Sequence, residues 1–195
     1  MLSYKESLKI LKKTSALLEG HFILSSGLHS AQYLQCAKWL SFPKQAGIIC
    51  ASLSEKIKRN FNKIDIILSP AMGGIVVGYE IGRQLGVQTI FAERVDEKLI
   101  LRRGFNIQPN LNVLIVEDVI TTGKSALECS EIINLNKANL IGYACIIDRS
   151  DSKLLIKDKI VAQIKLKIDT YNDKELPPDL KKIPAIKPGS KNPSE

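Results

Sequence analysis

The sequence is poor in the residues from which metal and redox centres are built. Only 2 of its 195 residues are histidine and 4 are cysteine. The cysteines are widely separated, no Cys-x-x-Cys spacing occurs, and neither histidine neighbours a cysteine. A structural zinc site is therefore not expected. Isolated thiols such as Cys129 and Cys145, which lie within helical and apolar patterns, are expected to be buried and reduced.

Long apolar runs are also missing. No stretch approaches the roughly 20 residues that span a membrane. The N-terminal residues lack the apolar segment of a signal peptide. We therefore expect a soluble, cytoplasmic protein that does not enter a membrane.

Arginine is scarce although the chain is basic. The formal net charge is +8, and most of the 28 basic residues are lysines scattered along the chain. Proteins that bind nucleic acid more often cluster their basic residues and use arginine for bidentate contacts. The charge pattern thus argues against a nucleic-acid partner and indicates a weak positive field that favours anionic substrates.

The fold class follows from the order of the predicted elements. With 195 residues and 45% hydrophobic content, the chain can bury one core. Predicted strands alternate with predicted helices between residues 65 and 148, which is typical of a mainly parallel sheet flanked by helices. The strands are expected at 65–68, 89–92, 113–116 and 140–147. We therefore predict a single α/β domain.

The segments outside this alternation are predicted from periodicity and turn residues. Helices are expected at 3–19, from Pro43 to about 59, and at 151–157, and a half-exposed strand at 163–169. A hairpin-like cap is expected at 22–35, and His29 within it is expected to be structural. The proline-rich tail from residue 171 is expected to be irregular, with Ile183 and Ile186 docked.

The stretch 113–125 is the most informative part of the chain. Four apolar residues of strand type lead into Glu117 and Asp118, and a polar loop with Gly123 then opens a helix. Backbone N–H groups of such a loop and the positive end of the helix dipole form a cradle for phosphate. The two carboxylates can accept hydrogen bonds from ribose hydroxyls. A P-loop is excluded because Asp118 stands where its first glycine is needed, and a solvated strand end is the alternative for the acid pair alone.

Two further strand ends and one loop carry polar residues of the same kind. The turn at 69–74 contains two adjacent glycines, and Arg149 follows the strand 140–147. The segment 93–104 is predicted to be a mobile loop or a hairpin arm with three cations near its centre and end: Lys98, Arg102 and Arg103. Tight packing of the glycines and a solvated hairpin are the alternatives. Because ligands bind outside the carboxyl ends of parallel strands, we expect one site there.

These motifs resemble those of a known family. The stretch 113–125 is similar to the phosphoribosyl diphosphate (PRPP) motif of type I phosphoribosyltransferases. Over nearly its whole length the chain resembles the orotate phosphoribosyltransferases. Ser25–Ser30 with Tyr33 resembles the family's cap over the base, and Pro70–Gly74 resembles its pyrophosphate loop. The segment 93–104 resembles the catalytic loop. Asp148-Arg149 resembles the strand end that binds orotate, and Ile186–Ser190 resembles the family's usual C-terminal sequence.

The resemblance implies a fold and an activity. The fold would be that of a type I phosphoribosyltransferase, with a core at about 43–160 and a small hood from 1–42 and 161–195. The enzyme would transfer ribose 5-phosphate from PRPP to orotate, release pyrophosphate, and require Mg²⁺ held mainly by PRPP rather than by the protein. It would act as a homodimer in which the 93–104 loop reaches the partner's site.

The resemblance also implies roles for single residues. Lys98, Asp118 and Glu117 would be catalytic. PRPP would be bound by Met72, Gly73, Gly74, Arg94, Lys98, Glu117, Asp118, Thr121, Thr122, Gly123, Lys124 and Ser125. Orotate would be bound by Arg149, Thr121, Ser26 and Tyr33. Many family members have Tyr-Lys in place of Met72-Gly73 and a histidine in the loop, so no role is assigned to Arg102 or Arg103.

Two other functions remain open at this point. A purine phosphoribosyltransferase would share the PRPP motif, although the Ser-Ser-Gly cap and Asp148-Arg149 argue against it. A regulator that senses PRPP without catalysis would be expected to carry an added nucleic-acid-binding domain, for which 195 residues leave no room.

Overall fold

The computed structural model describes residues 1–24 and 26–188, so Ser25 of the cap and residues 189–195 lie outside the described residues. In chain order the helices and strands are α1 (Tyr4–Lys13), β1 (Leu17–Ile23), β2 (His29–Leu34), α2 (Cys36–Leu40), α3 (Pro43–Asn60), β3 (Ile66–Pro70), α4 (Gly73–Leu85), β4 (Gln88–Val95), β5 (Lys98–Leu101), β6 (Asn112–Ile120), α5 (Lys124–Leu135), β7 (Asn139–Asp148), β8 (Ile160–Lys165), β9 (Thr170–Tyr171) and α6 (Pro178–Lys181).

A six-stranded sheet forms the centre of the molecule. Its strand order is β5-β4-β3-β6-β7-β8, and every neighbouring pair is parallel except β4 and β5. This confirms the predicted mainly parallel α/β fold. Since β8 pairs with β7, the sheet itself continues past residue 160.

The sheet is buried on both faces, as its apolar strands require. Along β6, Leu114 and Val116 join one buried cluster while Val113 and Ile115 join the other, which is the alternation expected of a strand. The helix α3 covers the first face and begins at Pro43, as predicted. The first cluster also includes the fully buried Trp39 of α2.

The hood is a second, three-stranded sheet in the order β1-β2-β9. The antiparallel pair β1–β2 confirms the predicted hairpin cap. The tail docks on it at Ile186, whose N–H donates to the carbonyl of His21 at 2.8 Å. His29 is buried, and its Nδ1 lies 2.7 Å from Nε2 of His21, so the predicted structural role for His29 agrees with its position.

Three predicted elements differ from the structure. The helix expected at 3–19 ends at Lys13, because Ser15 adopts a left-handed φ of 55° and the following residues pair with β2. The segment 151–157 is irregular rather than helical; it contains a turn from Asp151 to Leu154, and the N–H of Leu155 donates to the carbonyl of Thr122 at 2.9 Å. The strand expected at 163–169 lies at Ile160–Lys165 and is largely buried. Within the described residues, no helix is long and apolar enough to cross a membrane.

Candidate active site

The acid pair lies inside β6 near its carboxyl end, and both side chains are half-buried. Burial and the neighbouring Asp118 raise the pKa of Glu117 to about 8. Burial also raises the pKa of Asp118, while the Val119 backbone N–H, which donates to its carboxylate at 2.9 Å, opposes that rise. Two adjacent carboxylates that resist ionisation titrate as a pair. At neutral pH the pair therefore retains a proton and carries less than its full charge of −2.

The loop between β3 and α4 lies directly against Asp118. A Cβ built on Gly73 would lie 2.4 Å from Oδ2 of Asp118, which is much closer than atoms can approach. A larger residue would fit there only if the carboxylate or the loop moved. Because Gly73 begins α4, the loop also presents the N-terminus of that helix beside the carboxylate, and the described residues give this N-terminus no side-chain cap. Met72 precedes it with 82% of its surface exposed, and the Ala71–Met72 peptide is cis.

A second helix N-terminus follows β6. Gly123 precedes α5 with a φ of 79°, and the first N–H of the helix, that of Lys124, makes a long hydrogen bond of 3.4 Å to Oγ1 of Thr122. A Cβ on Gly123 would meet Cδ1 of Ile156 at 2.7 Å, so the irregular segment 151–157 packs over the loop. Thr121, Thr122 and Lys124 are exposed and Ser125 is half-buried. The N–H groups at the start of α5 and the helix dipole suit a phosphate group.

Arg149 directly follows β7 and lies beside this loop. Its backbone N–H donates to the carbonyl of Ile120 at 2.8 Å. The Nε atom of its side chain is buried and has no hydrogen-bond partner among residues 1–24 and 26–188. Burial accordingly lowers the pKa of Arg149. An unpaired, buried guanidinium N–H is costly unless a ligand accepts its hydrogen bond, and a carboxylate is the ligand that guanidinium binds best.

The segment 93–104 is a hairpin arm, one of the two predicted alternatives. The strands β4 and β5 are joined by a turn at Asp96 and Glu97. Arg94 pairs with Glu128 of α5 at 2.9 Å. Arg103 makes two hydrogen bonds of 2.9 Å to Glu93. Lys98 is exposed and follows the turn directly. Arg94 and Arg103 therefore form ion pairs with carboxylates of their own chain, whereas Lys98 is exposed at the tip of the arm.

The hood contributes residues of two kinds. Ser26 is exposed in the hairpin turn, and the ring of Tyr33 lies 5.7 Å from that of Phe22. Cys36, just beyond β2, is buried, and it lies near Asp118 and Arg149. Sequence reasoning missed Cys36 as a site residue. The available signal was its position three residues after Tyr33 of the expected cap.

Comparison with known proteins identifies the family. A model of the phosphoribosyl transferase domain matches residues 42–176. The orotate phosphoribosyltransferase of Caldicellulosiruptor saccharolyticus is 46% identical over 94% of this chain and 95% of its own length. The chain belongs to the orotate phosphoribosyltransferase family. The orotate phosphoribosyltransferase of Chlorobaculum parvum is 42% identical over 98% of both chains.

Solved structures share the fold of this orotate phosphoribosyltransferase family member. The orotate phosphoribosyltransferase from Aeropyrum pernix superposes with a TM-score of 0.67 at 22% identity, covering 81% of this chain and 92% of that one. The adenine phosphoribosyltransferase from Thermoanaerobacter pseudethanolicus gives 0.60 at 16% identity, covering 69% and 88%. At these identities the likeness concerns the fold, which both kinds of enzyme share.

The described residues were also compared with the ligand sets that hold metal ions in proteins. The part of the chain that the structure describes contains no cluster of three or more His, Cys, Asp or Glu able to hold a metal ion. Mg²⁺ prefers six oxygens and often takes most of them from substrate phosphates and water.

Proposed function

We propose that this enzyme transfers ribose 5-phosphate from PRPP to N1 of orotate, giving orotidine 5′-phosphate and pyrophosphate in pyrimidine nucleotide synthesis. The observation that carries the choice of base is Arg149, whose buried Nε lacks a partner at the carboxyl edge of the sheet. Orotate bears a carboxylate that can accept this hydrogen bond, whereas adenine and hypoxanthine have none. Thr121, Ser26 and Tyr33 are proposed to contact the base with Arg149.

PRPP is proposed to bind across the N-termini of α4 and α5. Its 5′-phosphate suits the loop 121–125 before α5, and its diphosphate suits residues 72–74 at the start of α4. The acid pair precedes the loop 121–125 in the sequence, and Asp118 lies against Gly73. Glu117 and Asp118 are therefore proposed to hold the ribose 2′- and 3′-hydroxyls, the protonated carboxyl as a donor and the ionised one as an acceptor.

The proposed chemistry breaks the bond from C1′ of the ribose to pyrophosphate and forms a bond from C1′ to N1 of orotate, while the N1 proton of orotate passes to the departing pyrophosphate or to solvent. Positive charge develops on the ring as the leaving group departs. Fixed negative charge beneath the ring stabilises that state without reorganisation. Because the pair retains a proton at neutral pH, its remaining negative charge acts on the ring while the protonated carboxyl orients a hydroxyl. The diphosphate leaves with the electron pair, and Lys98 is proposed to offset its growing charge.

Mg²⁺ is proposed as the cofactor, bound through oxygens of PRPP, where it neutralises charge on the leaving diphosphate. Residues 72–74 would hold the opposite side of that diphosphate through backbone N–H groups. We also propose a cytoplasmic location, because the four cysteines are free and buried, as in proteins of reducing compartments.

A homodimer that shares the arm is proposed as the active form. Lys98 is exposed at the tip of the arm, while Arg94 fastens the arm to its own α5. Exposed apolar side chains, Val76 and Tyr79 on α4 and Ile100 on the arm, offer a surface for a second copy. A two-fold interface is the commonest way in which identical chains associate.

The base is tested by offering the enzyme PRPP and Mg²⁺ with orotate, adenine, hypoxanthine or uracil in separate reactions. We expect orotate absorbance to fall and the other three bases to remain. Consumption of a purine with orotate unchanged would favour purine phosphoribosyl transfer. PRPP binding without consumption of any base would favour a sensor.

The shared arm is tested by co-expressing two inactive variants, Lys98→Ala and Asp118→Asn. If Lys98 acts on the partner's site, each hybrid dimer has one intact site. Half of the randomly paired dimers are hybrids, so about a quarter of wild-type activity returns. An inactive mixture in which mass spectrometry confirms hybrid dimers would place Lys98 at the site of its own chain.

A further inference from the structure

The two histidines of the chain meet inside the hood. His21 of β1 and His29 of β2 are 5% and 8% exposed, and Nε2 of His21 lies 2.7 Å from Nδ1 of His29. Nδ1 of His21 lies 2.8 Å from the carbonyl oxygen of Ile183 in the tail. Nε2 of His29 faces the carboxylate of Asp173 at 3.7 Å. The two rings thus connect both hood strands to the segments that follow β9.

These distances determine which ring nitrogens carry a hydrogen. A carbonyl oxygen can only accept, so Nδ1 of His21 carries a hydrogen and donates it to Ile183. Nε2 of a neutral His21 is then an acceptor, and Nδ1 of His29 donates to it. Nε2 of His29 is left free to gain a proton opposite Asp173. A proton at that nitrogen makes the approach of the carboxylate attractive.

The histidine pair therefore accommodates one added proton but not two. A proton on His29 leaves every hydrogen bond of the pair in place. A second proton, on Nε2 of His21, would set two N–H groups against each other at 2.7 Å and place two positive charges in a buried site. The rings would have to separate, and His21 would be drawn away from the carbonyl of Ile183.

The surrounding charges do not relieve this conflict. Among residues 1–24 and 26–188, Asp173 is the only carboxylate within 4 Å of either ring, and its side chain is 85% exposed. Tyr171 of β9 lies opposite His29 in the backbone register. The remaining charged groups on the adjoining segments are engaged with other residues (Lys12 with Glu19, Lys167 with Asp169, Lys182 with Asp179, and Glu175 with Asn172) or are exposed lysines (Lys174, Lys181 and Lys187).

The pair lies between the tail and the proposed cap over the base. The N–H of Ile186 donates to the carbonyl of His21 itself, and the N–H of Ile23 donates to the carbonyl of Ile186, both at 2.8 Å. His29 follows the turn that contains Ser26 and begins the strand that contains Tyr33. A movement of the two rings therefore reaches both the tail and the cap.

We propose that the His21–His29 pair is a proton-dependent clasp of the hood. The clasp is closed with no added proton or with one, and the second proton opens it. Opening frees the tail from β1 and loosens the turn and strand of the cap. The consequence for orotate binding rests on the proposed function, whereas the clasp itself does not.

The clasp is tested by NMR, in which only two imidazoles contribute signals because the chain has 2 histidines. Imidazole ¹⁵N shifts distinguish the two neutral tautomers from the doubly protonated ring, and His21→Asn and His29→Asn assign the signals. The titration runs from about pH 8 to about pH 4.5, which covers the range in which imidazoles gain a proton. Amide exchange of Ile23 and Ile186 is followed alongside. The control amide is that of Leu166, which donates to the carbonyl of Asp148 at 2.8 Å in the central sheet.

We expect His21 to be the Nδ1–H tautomer and His29 to take the first proton. Protection of the Ile23 and Ile186 amides should fall at least about tenfold when the second proton enters, while Leu166 stays protected. His21→Asn keeps a donor for Ile183 but has no Nε2, so its tail should stay protected in acid. His21→Ala, which has no donor, should leave the tail poorly protected at every pH.

Three results would overturn the clasp: two protonated rings with unchanged protection of the tail amides, a His21→Asn tail as sensitive to acid as that of wild type, or loss of Leu166 protection together with the tail. The effect on the base is read from KM values of wild type divided by those of His21→Asn, since other titrating groups cancel in that ratio. The ratio for orotate should rise about tenfold in acid, and the ratio for PRPP should stay constant. A parallel rise of both would overturn the role in the cap. If orotate were not consumed at all, the proposed function would fail, while the NMR and exchange data would still decide the clasp.

Discussion

Replacing Gly73 by alanine probes the contact between the diphosphate loop and the acid pair. The added Cβ would stand 2.4 Å from Oδ2, 2.7 Å from Cγ and 2.8 Å from Oδ1 of Asp118. Restoring ordinary contact distances requires a displacement of about 1 Å by the carboxylate or by the loop. A misplacement of about 1 Å in an active site can cost on the order of 100-fold in rate. We therefore expect kcat/KM for PRPP to fall by about 100-fold.

The fold should survive this change. Gly73 begins α4, and alanine favours a helix over glycine by up to about 1 kcal/mol. Gly47→Ala is the matched control: Gly47 lies inside α3, and its added Cβ would meet only Oε1 of Glu80, at an ordinary 3.6 Å. Gly47→Ala should keep wild-type kinetics.

The assay is the loss of orotate absorbance at varied PRPP, with thermal denaturation of both variants alongside. A Gly73→Ala enzyme that folds normally and retains kcat/KM within about twofold of wild type would refute the close packing of Gly73 on Asp118 and the placement of the diphosphate there.

Two further predictions concern the acid pair and the base. The pKa of Glu117 is raised from its ordinary 4.5 to about 8, so the stability it contributes is complete below about pH 4.5 and is lost as pH rises through about 8. The glutamine in Glu117→Gln cannot ionise, so only the wild type loses this stability as the pH rises. The free energy of unfolding of the variant minus that of wild type, measured by urea denaturation, should therefore rise by at least about 1 kcal/mol between pH 6 and pH 9. A difference that stays constant over this range would contradict the raised pKa. Arg149→Ala should raise the orotate KM at least about tenfold and leave PRPP binding nearly unchanged, with the exposed Arg59→Ala as control. If orotate and PRPP affinities fell together, Arg149 would be structural.

The sheet was predictable because its strands are apolar over enough residues to require burial on both faces. Pro43 marked the start of α3 equally clearly, since its fixed φ suits the first helical position. The full length of β6 was not predictable from polarity. Its sequence turns acidic at Glu117, yet the strand continues to Ile120 because Glu117, Val119 and Ile120 still pair with β7. Pairing between strands overrode the local pattern.

Part of the site was also predictable, from the order of the strands in the sequence. Glycine and acid motifs at strand ends converge wherever the strands are parallel neighbours, so the loops 72–74 and 121–125 were expected at one edge. The position of Cys36 near Asp118 and the packing of Ile156 on Gly123 depend on segments distant in sequence. No local pattern encodes such contacts. The end of α1 was missed because Leu17 and Leu18 continue an apolar stripe that the strand β1 uses instead.

The most direct test of the proposed reaction follows both products at once by ³¹P NMR. Wild-type enzyme would be mixed with PRPP, Mg²⁺ and limiting orotate, and the diphosphate and phosphomonoester signals would be compared with the loss of orotate absorbance. We expect one pyrophosphate and one orotidine 5′-phosphate for each orotate consumed. Pyrophosphate release without orotate loss, or no turnover in an enzyme that binds PRPP, would contradict phosphoribosyl transfer to orotate.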